Sequence, residues 1–282
     1  MKLTIGEHAG FCFGVRRAVL KAFECAEKQL PCVTLGPLIH NPQEVERLRR
    51  AGIRSVETLD EVAPGETVII RSHGVTPDVY RTCEARGIPV IDATCPHVAH
   101  IHQLVEQYSG NGDAVVIVGE ADHPEVIGIA GWAHGKVFIL PDAQAAEEAE
   151  LPKKALVVAQ TTIRRDRFDS VLQVLRRRVP DLTQRITICA ATSQRQQEAE
   201  KLSGEADVMV VVGGKNSSNT QKLLETCRLR CKRSILVETP EDVPGDLAGE
   251  NDSVALTAGA STPQWLLEQV RERIEENSQN TH

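Results

Sequence analysis

Short runs of aliphatic and β-branched residues recur along the chain with no charged residue interleaved. They include Val33-Thr34-Leu35, Thr67-Val68-Ile69-Ile70, Val90-Ile91 and Ala114-Val115-Val116-Ile117-Val118. Ala155-Leu156-Val157-Val158, Met209-Val210-Val211-Val212 and Ser253-Val254-Ala255-Leu256 continue the series. A strand with one wet face alternates apolar and polar residues; an uninterrupted run fits a strand covered on both faces, the situation of a parallel sheet between helices. Between the runs, stretches at 15–29, 43–50, 164–178, 195–202 and 263–276 carry helical spacing. The expected class is α/β, with about ten strands. With 282 residues and ~150 per domain, one large or two to three small domains are expected.

Nearly every strand candidate ends in a polar or glycine-rich turn that opens a helix. Examples are Gly36-Pro37-Leu38-Ile39-His40-Asn41, Ser72-His73-Gly74, Asp92-Ala93-Thr94-Cys95-Pro96 and Gly119-Glu120-Ala121-Asp122-His123-Pro124-Glu125. Gln160-Thr161-Thr162, Gly213-Gly214-Lys215-Asn216-Ser217-Ser218-Asn219 and Ala258-Gly259-Ala260-Ser261-Thr262-Pro263 complete the set. In parallel sheets ligands gather at the carboxyl ends of strands, where helix N-termini point. The polar residues of these turns are therefore the candidate functional residues.

The net charge of −7 supplies no general field for nucleic acid or an anionic membrane, so any anion site must be built locally. No apolar run approaches the ~20 residues of a membrane span, and the first residues lack a signal-peptide stretch. A cytoplasmic chain is expected. Eight cysteines then read as free thiols or metal ligands rather than disulfides.

Cys12, Cys95 and Cys189 lie in similar strand-to-helix settings, spaced by about the length of a small α/β unit. A thiol at a helix N-terminus has a lowered pKa, and thiolate is the form that binds zinc and iron–sulfur clusters. Three thiolates would leave one metal position open for reaction. Cys25, Cys32 and Cys83 read as packing residues, and Cys227 with Cys231, an i, i+4 pair, is a minor metal possibility.

The Lys215–Asn219 stretch places two hydroxyls, an amide and unsatisfied backbone N–H groups at a helix start, and Ala260-Ser261-Thr262 repeats the device. Each serine could simply cap its helix, but the run of donors after a Gly-Gly turn fits a compact phosphate or diphosphate. There is no P-loop pattern. His40, His73 and His123 each follow a strand candidate, where an imidazole can donate to phosphate oxygens or shuttle protons. His97, His100 and His102 read as surface residues of one helix. Glu125 stands beside His123 and could donate a proton, or simply favour the helix dipole in its first turn.

Together these motifs resemble the 4-hydroxy-3-methylbut-2-enyl diphosphate reductase family. The resemblance rests on Gly10-Phe11-Cys12-Phe13-Gly14-Val15-Arg16-Arg17-Ala18, Asp92-Ala93-Thr94-Cys95-Pro96, His123-Pro124-Glu125, Gln160-Thr161-Thr162, Cys189-Ala190-Ala191-Thr192, Gly214-Lys215-Asn216-Ser217-Ser218-Asn219 and Thr257-Ala258-Gly259-Ala260-Ser261. They occur in the family's order from about Leu3 to Arg271.

The resemblance implies three small parallel-sheet α/β domains in a trefoil around a central iron–sulfur cleft. Its implied boundaries are 13–95, 96–188, and 189–282 completed by 1–12. It further implies one [4Fe–4S] cluster on Cys12, Cys95 and Cys189 with one open iron. His40, His73, His123, Ser217, Ser218, Asn219 and Ser261 match its diphosphate binders. Glu125 matches its proton donor, and Thr161 the residue that orients that donor and the substrate hydroxyl. The implied reaction removes the hydroxyl as water with two electrons and two protons, giving isopentenyl and dimethylallyl diphosphate, and ferredoxin or flavodoxin is the implied electron donor. A zinc hydrolase or metal sensor built on the three cysteines and a pure electron carrier are the rival readings.

Overall fold

Of the seven runs, six lie in interior strands of three sheets and Val90-Ile91 lies in an edge strand. The computed structural model describes residues 1–279. In chain order, β1 (Lys2–Ile5), α1 (Phe13–Glu27), β2 (Cys32–Leu35), α2 (Pro42–Arg50), β3 (Arg54–Val56), β4 (Thr67–Ile70), α3 (Pro77–Ala85) and β5 (Val90–Asp92) come first. Then follow α4 (Pro96–Gly110), β6 (Ala114–Val118), α5 (Pro124–Gly131), β7 (Val137–Leu140), α6 (Ala143–Glu148), β8 (Lys154–Ala159), α7 (Arg165–Arg178) and β9 (Asp181–Gln184). The last group is α8 (Ala190–Glu205), β10 (Val208–Val212), α9 (Ser218–Arg228), β11 (Ser234–Val237), β12 (Ser253–Ala258) and α10 (Gln264–Gln279).

The sheets are four-stranded, with orders β3-β2-β4-β5, β7-β6-β8-β9 and β11-β10-β12-β1. All their pairings are parallel. The three orders are the same once β1, the N-terminal strand, takes the fourth place in the last sheet. The protein is thus α/β, three times over.

The interior strands show why their sequences do not alternate apolar with charged residues. In β6 and β8, Val116, Val118, Val157 and Ala159 face Phe168, Leu172 and Leu175 of α7. Their neighbours Val115, Ile117, Leu156 and Val158 face Ile101 and Val105 of α4 and Val126 and Ile129 of α5. β10 and β12 do the same, with Val210, Val212 and Leu256 towards α10 and Met209, Val211 and Ala255 towards α8 and α9. Burying one such side chain contributes about 1.5–3 kcal/mol, so a polar residue on either face would be costly.

β9 ends at Gln184 although the residues after it, Arg185-Ile186-Thr187-Ile188, are rich in β-branched side chains. The Arg185 amide still donates to Val157 O at 2.9 Å. Beyond it the Thr187 side chain replaces the backbone, accepting from the Ala159 amide and donating to the Ala159 carbonyl, both at 2.7 Å. The hydroxyl satisfies the last groups of β8 and the chain leaves the sheet.

The chain forms two compact units. One comprises Met1–Val15, Ile39–Glu46 and the described residues from Ala190 onward, with the β1-containing sheet; the other comprises Arg16–Leu38 and Arg47–Cys189, with the remaining two sheets. Among the described residues no helix is long and apolar enough to cross a membrane.

Candidate active site

The eight cysteines divide sharply. Cys25, Cys32, Cys83, Cys227 and Cys231 are buried, whereas Cys12, Cys95 and Cys189 are partly exposed. Burial pushes the Cys32 and Cys227 thiols up to about 12 and raises Cys83 as well, which keeps them protonated and poor as ligands. Cys227 and Cys231 gain no third donor; the Cys231 thiol donates to Asp207 O at 3.4 Å.

The three partly exposed cysteines share one backbone setting. Each follows the strand in the fourth place of its sheet and directly precedes a helix: Cys12 before α1, Cys95 before α4, Cys189 before α8. Each amide donates to a carbonyl just past the third-place strand: Cys12 to Ala260 O at 3.1 Å, Cys95 to Ser72 O at 3.0 Å, Cys189 to Thr161 O at 3.1 Å. The Arg17 guanidinium further pins the Cys95 turn by donating to Thr94 O at 2.9 Å. Among the described residues no group of three or more His, Cys, Asp or Glu side chains is arranged to hold a metal ion.

Glu125 and Thr161 meet in the unit that contains β6 and β8. Pro124 opens α5 and sets Glu125 in its first turn, only 2% exposed. Thr161 lies past the end of β8, and its amide and hydroxyl donate to Glu125 Oε1 and Oε2 at 2.5 and 2.8 Å. His123 caps α5, its Nδ1 accepting the Glu125 amide at 3.1 Å. In a neutral ring that assigns the proton to Nε2, making it a donor. His73, on the turn after β4, approaches the His123 ring edge-on at 5.7 Å. The structure therefore brings His73, His123, Glu125, Thr161 and the backbone of Cys189 into one connected group.

His40, Ser217, Ser218, Asn219 and Ser261 gather in the other unit. Ser217 caps α9, accepting from the Thr220 amide at 3.4 Å; the capping role that any serine there could play is thus real. Ser218 and Asn219 open the helix, whose first amides lack intrahelical partners. Asn219 is 9% exposed and among the described residues its Nδ2 has no hydrogen-bond partner, an arrangement native interiors rarely leave unfilled by water, ion or ligand. Ser261, on the turn after β12, donates its hydroxyl to His40 O at 3.1 Å. Gly214 lets the two turns meet, since a Cβ there would lie 2.7 Å from the same carbonyl. The Trp265 indole donates to Glu44 at 2.9 Å, holding the start of α2 beside α10.

Two residues near these groups take buried places that their sequence positions do not indicate. Lys222 is only 3% exposed and donates to Ser218 Oγ at 2.6 Å, placing a cation beneath the hydroxyl and leaving the Ser218 proton to point elsewhere. Its i+4 spacing from Ser218 is the one sequence signal. His102, expected on the surface with His97 and His100, is buried at 4% exposure and stacked on Trp132 at 5.2 Å. Of these three, His97 and His100 are exposed. α4 turns His102 inward, where burial lowers its pKa to about 4.

Comparison with known proteins adds an independent finding. The family described as LytB protein matches residues 3–275. The 4-hydroxy-3-methylbut-2-enyl diphosphate reductase of Caldanaerobacter subterraneus subsp. tengcongensis is 42% identical over 278 residues, covering 97% of this chain and 96% of the relative. The enzyme of that name from Geobacter sulfurreducens is 42% identical over 276 residues, 98% of each chain. Among solved structures, the E-1-hydroxy-2-methyl-but-2-enyl-4-diphosphate reductase from Plasmodium falciparum superposes with a TM-score of 0.91 at 28% identity, covering 96% of this chain and 87% of that one. A structure of (E)-4-hydroxy-3-methyl-but-2-enyl diphosphate reductase gives 0.73 at 42% identity, covering 98% and 100%.

Proposed function

The chain belongs to the LytB protein family, and from that premise we propose that it is a 4-hydroxy-3-methylbut-2-enyl diphosphate reductase. Its substrate is the (E)-4-hydroxy diphosphate. Two electrons and two protons remove the hydroxyl as water, leaving isopentenyl and dimethylallyl diphosphate. Ferredoxin or flavodoxin is the proposed electron donor, the cytoplasm the proposed compartment, and 13–95, 96–188 and 189–282 with 1–12 the proposed division into domains.

What carries the reading is the repeated setting of Cys12, Cys95 and Cys189, the three cysteines that are not buried. Soft, partly exposed sulfur donors at helix starts fit an iron–sulfur cluster, and the five buried thiols do not. We assign these three as ligands of one [4Fe–4S] cluster, which when bound supplies electrons and one iron open to the substrate hydroxyl.

The remaining chemistry belongs to the chain. Ser217, Ser218, Asn219 and Ser261, with α9's N-terminal amides, are donors suited to diphosphate oxygens, and His40, His73 and His123 add imidazole donors. Binding the diphosphate end orients the reacting end. Loss of hydroxide as water needs an acid near the leaving oxygen. Glu125 is that acid, and its proton passes to or is steered by Thr161 Oγ1, with which it shares a 2.8 Å hydrogen bond.

The test is an anaerobic assay of iron–sulfur-reconstituted protein with the hydroxylated diphosphate and a strong one-electron donor. Brown protein that releases both product diphosphates supports the reading. Colourless, zinc-loaded protein that does not reduce the substrate overturns it.

A further inference from the structure

The segment between β1 and α1 delivers Cys12, yet it has little backbone pairing of its own. Gly6 N donates to Leu256 O at 2.8 Å, Ala9 N to Gly6 O at 3.2 Å and Cys12 N to Ala260 O at 3.1 Å. Much of what remains is met by two side chains one turn apart on α8. Arg195 Nε donates to His8 O at 2.9 Å and its Nη2 to Gly10 O at 2.8 Å. Glu198 Oε1 accepts from the Glu7 amide at 2.7 Å and its Oε2 from the His8 amide at 3.0 Å. A cation thus takes the carbonyls of the loop and an anion takes its amides.

The fit is close. Arg195 is 3% exposed, and its third contact is Ala191 O on its own helix at 3.2 Å. A Cβ on Gly6 would stand 2.6 Å from Glu198 Oε2, so the loop approaches α8 where only glycine fits without displacing that carboxylate. Two carbonyls at i and i+2 suit a planar guanidinium, which presents its donors as a rigid fork; an ammonium at this depth would be a single flexible point charge. α8 itself begins at Ala190, directly after Cys189.

We infer that Arg195 and Glu198 are positioning residues for the Cys12 thiol, acting through the backbone of residues 7–10 rather than by touching substrate. The inference rests on the assignment of Cys12 as a cluster ligand only for its consequence in the enzyme; the placement of the thiol is independent of it. A ligand-bearing loop held by charge-assisted hydrogen bonds has a low population of open states, which keeps the donor in place for cluster assembly.

The experiment uses full-length, reduced, metal-free protein under anaerobic conditions, with iodoacetamide as probe and mass spectrometry to follow each cysteine. Arg195→Met should accelerate Cys12 modification roughly tenfold, the opening expected from losing hydrogen bonds to a charged group, while Cys95 and Cys189 keep parental rates. Arg195→Lys, able to serve one carbonyl, should fall between; Glu198→Gln, which keeps one acceptor oxygen, should give a smaller acceleration of Cys12 alone. On reconstitution, bound iron should be lost to a chelator in the same rank order. An unchanged Cys12 rate in folded Arg195→Met, or equal acceleration at all three cysteines, overturns the inference. If Arg195→Met does not fold, the Arg195→Lys and Glu198→Gln rates decide by the same criterion. Failure of the parent to take up iron would overturn the cluster assignment and leave the alkylation result standing.

Discussion

Thr161 holds Glu125 with both of its donors: the amide reaches Oε1 at 2.5 Å and the hydroxyl reaches Oε2 at 2.8 Å. Its carbonyl meanwhile accepts from Cys189 N at 3.1 Å. One residue therefore ties the proposed acid to the backbone of a proposed ligand. Both carboxylate oxygens accept from Thr161, the arrangement of the ionised group. When Glu125 carries the proton, Oε2–H can donate to Thr161 Oγ1 and the threonine proton turns outward, so the pair can pass a proton without moving a heavy atom.

Glu125→Gln separates acid from shape. The amide oxygen can keep the Thr161 amide and the NH₂ can donate to Thr161 Oγ1, so the turn persists while the exchangeable acid is gone. Turnover should fall by at least ~100-fold, the lower end of general acid catalysis, with an unchanged cluster spectrum and near-normal substrate-induced spectral change. A variant that binds substrate and turns over within a few-fold of the parent would assign the proton to another group.

Thr161 should behave differently according to which of its groups is removed. Thr161→Ser keeps hydroxyl, amide and carbonyl and should retain the rate within a few-fold. Thr161→Val keeps the backbone contacts to Glu125 and Cys189 but leaves Glu125 Oε2 without that donor, and should lose at least ~10-fold in kcat. Iron content should match the parent in both. Equal rates for the two variants would remove the hydroxyl from the mechanism.

Cys12→Ser, Cys95→Ser and Cys189→Ser should each lose most bound iron and all useful turnover, because a hydroxyl is a poor substitute for a soft thiolate. Single serine substitutions at Cys25, Cys32, Cys83, Cys227 and Cys231 should keep the brown colour. The comparison is of iron per chain after anaerobic reconstitution. Full iron in all of the first three would sink the assignment.

The sequence and the structure agree where burial acts on both faces of a strand. β2, β4, β6, β8, β10 and β12 are the interior strands, and each contains one of the aliphatic runs. The edge strands β3 and β9 obey no such demand: Arg54 and Ser55 of β3 are exposed, as are Asp181 and Gln184 of β9, so nothing in the composition of these two distinguishes them from loop. The site was legible wherever strand-to-helix turns concentrate polar residues, which is why His40, Glu125, Thr161 and Ser217 stand out. Arg195, Lys222 and His102 were not, because each is a polar side chain buried in the fold: Arg195 against the carbonyls of residues 8 and 10, and His102 against the Trp132 ring, partners distant in sequence. Helical spacing of a charged or titratable residue ordinarily means a solvated face.

Asn219 offers a prediction in which stability and binding part company. Among the described residues its buried Nδ2 has no hydrogen-bond partner, so Asn219→Ala removes an unsatisfied donor and should leave the melting temperature unchanged or slightly higher. Affinity for a product diphosphate should nonetheless fall by about tenfold, the value of a hydrogen bond to a charged group, with no change at the cluster. Calorimetry for stability and titration for binding make the check. Unaltered diphosphate affinity would place Asn219 outside the cradle.

His102 sets a pH dependence whose sign follows from its burial. Its ring lies against Trp132, whose indole donates to Val75 O at 3.0 Å, and among the described residues its Nε2 has no hydrogen-bond partner. Burial favours the neutral ring and lowers the pKa from 6.5 to about 4, with the nearby Asp92 charge opposing in part. Between those values the unfolded chain binds the proton that the folded chain refuses. The stabilisation is therefore complete above about pH 6.5 and is lost as the pH falls towards 4. Linkage puts the loss between pH 7 and pH 5 at about 2 kcal/mol for this group. His102→Phe keeps an aromatic ring against Trp132 and removes the titration. Denaturant unfolding of both proteins at pH 7 and pH 5 should show the parent losing about 2 kcal/mol more than the variant, with other histidines contributing equally to both. An identical pH dependence would mean that His102 is protonated in the folded protein, and that the packing around Trp132 accommodates the charge.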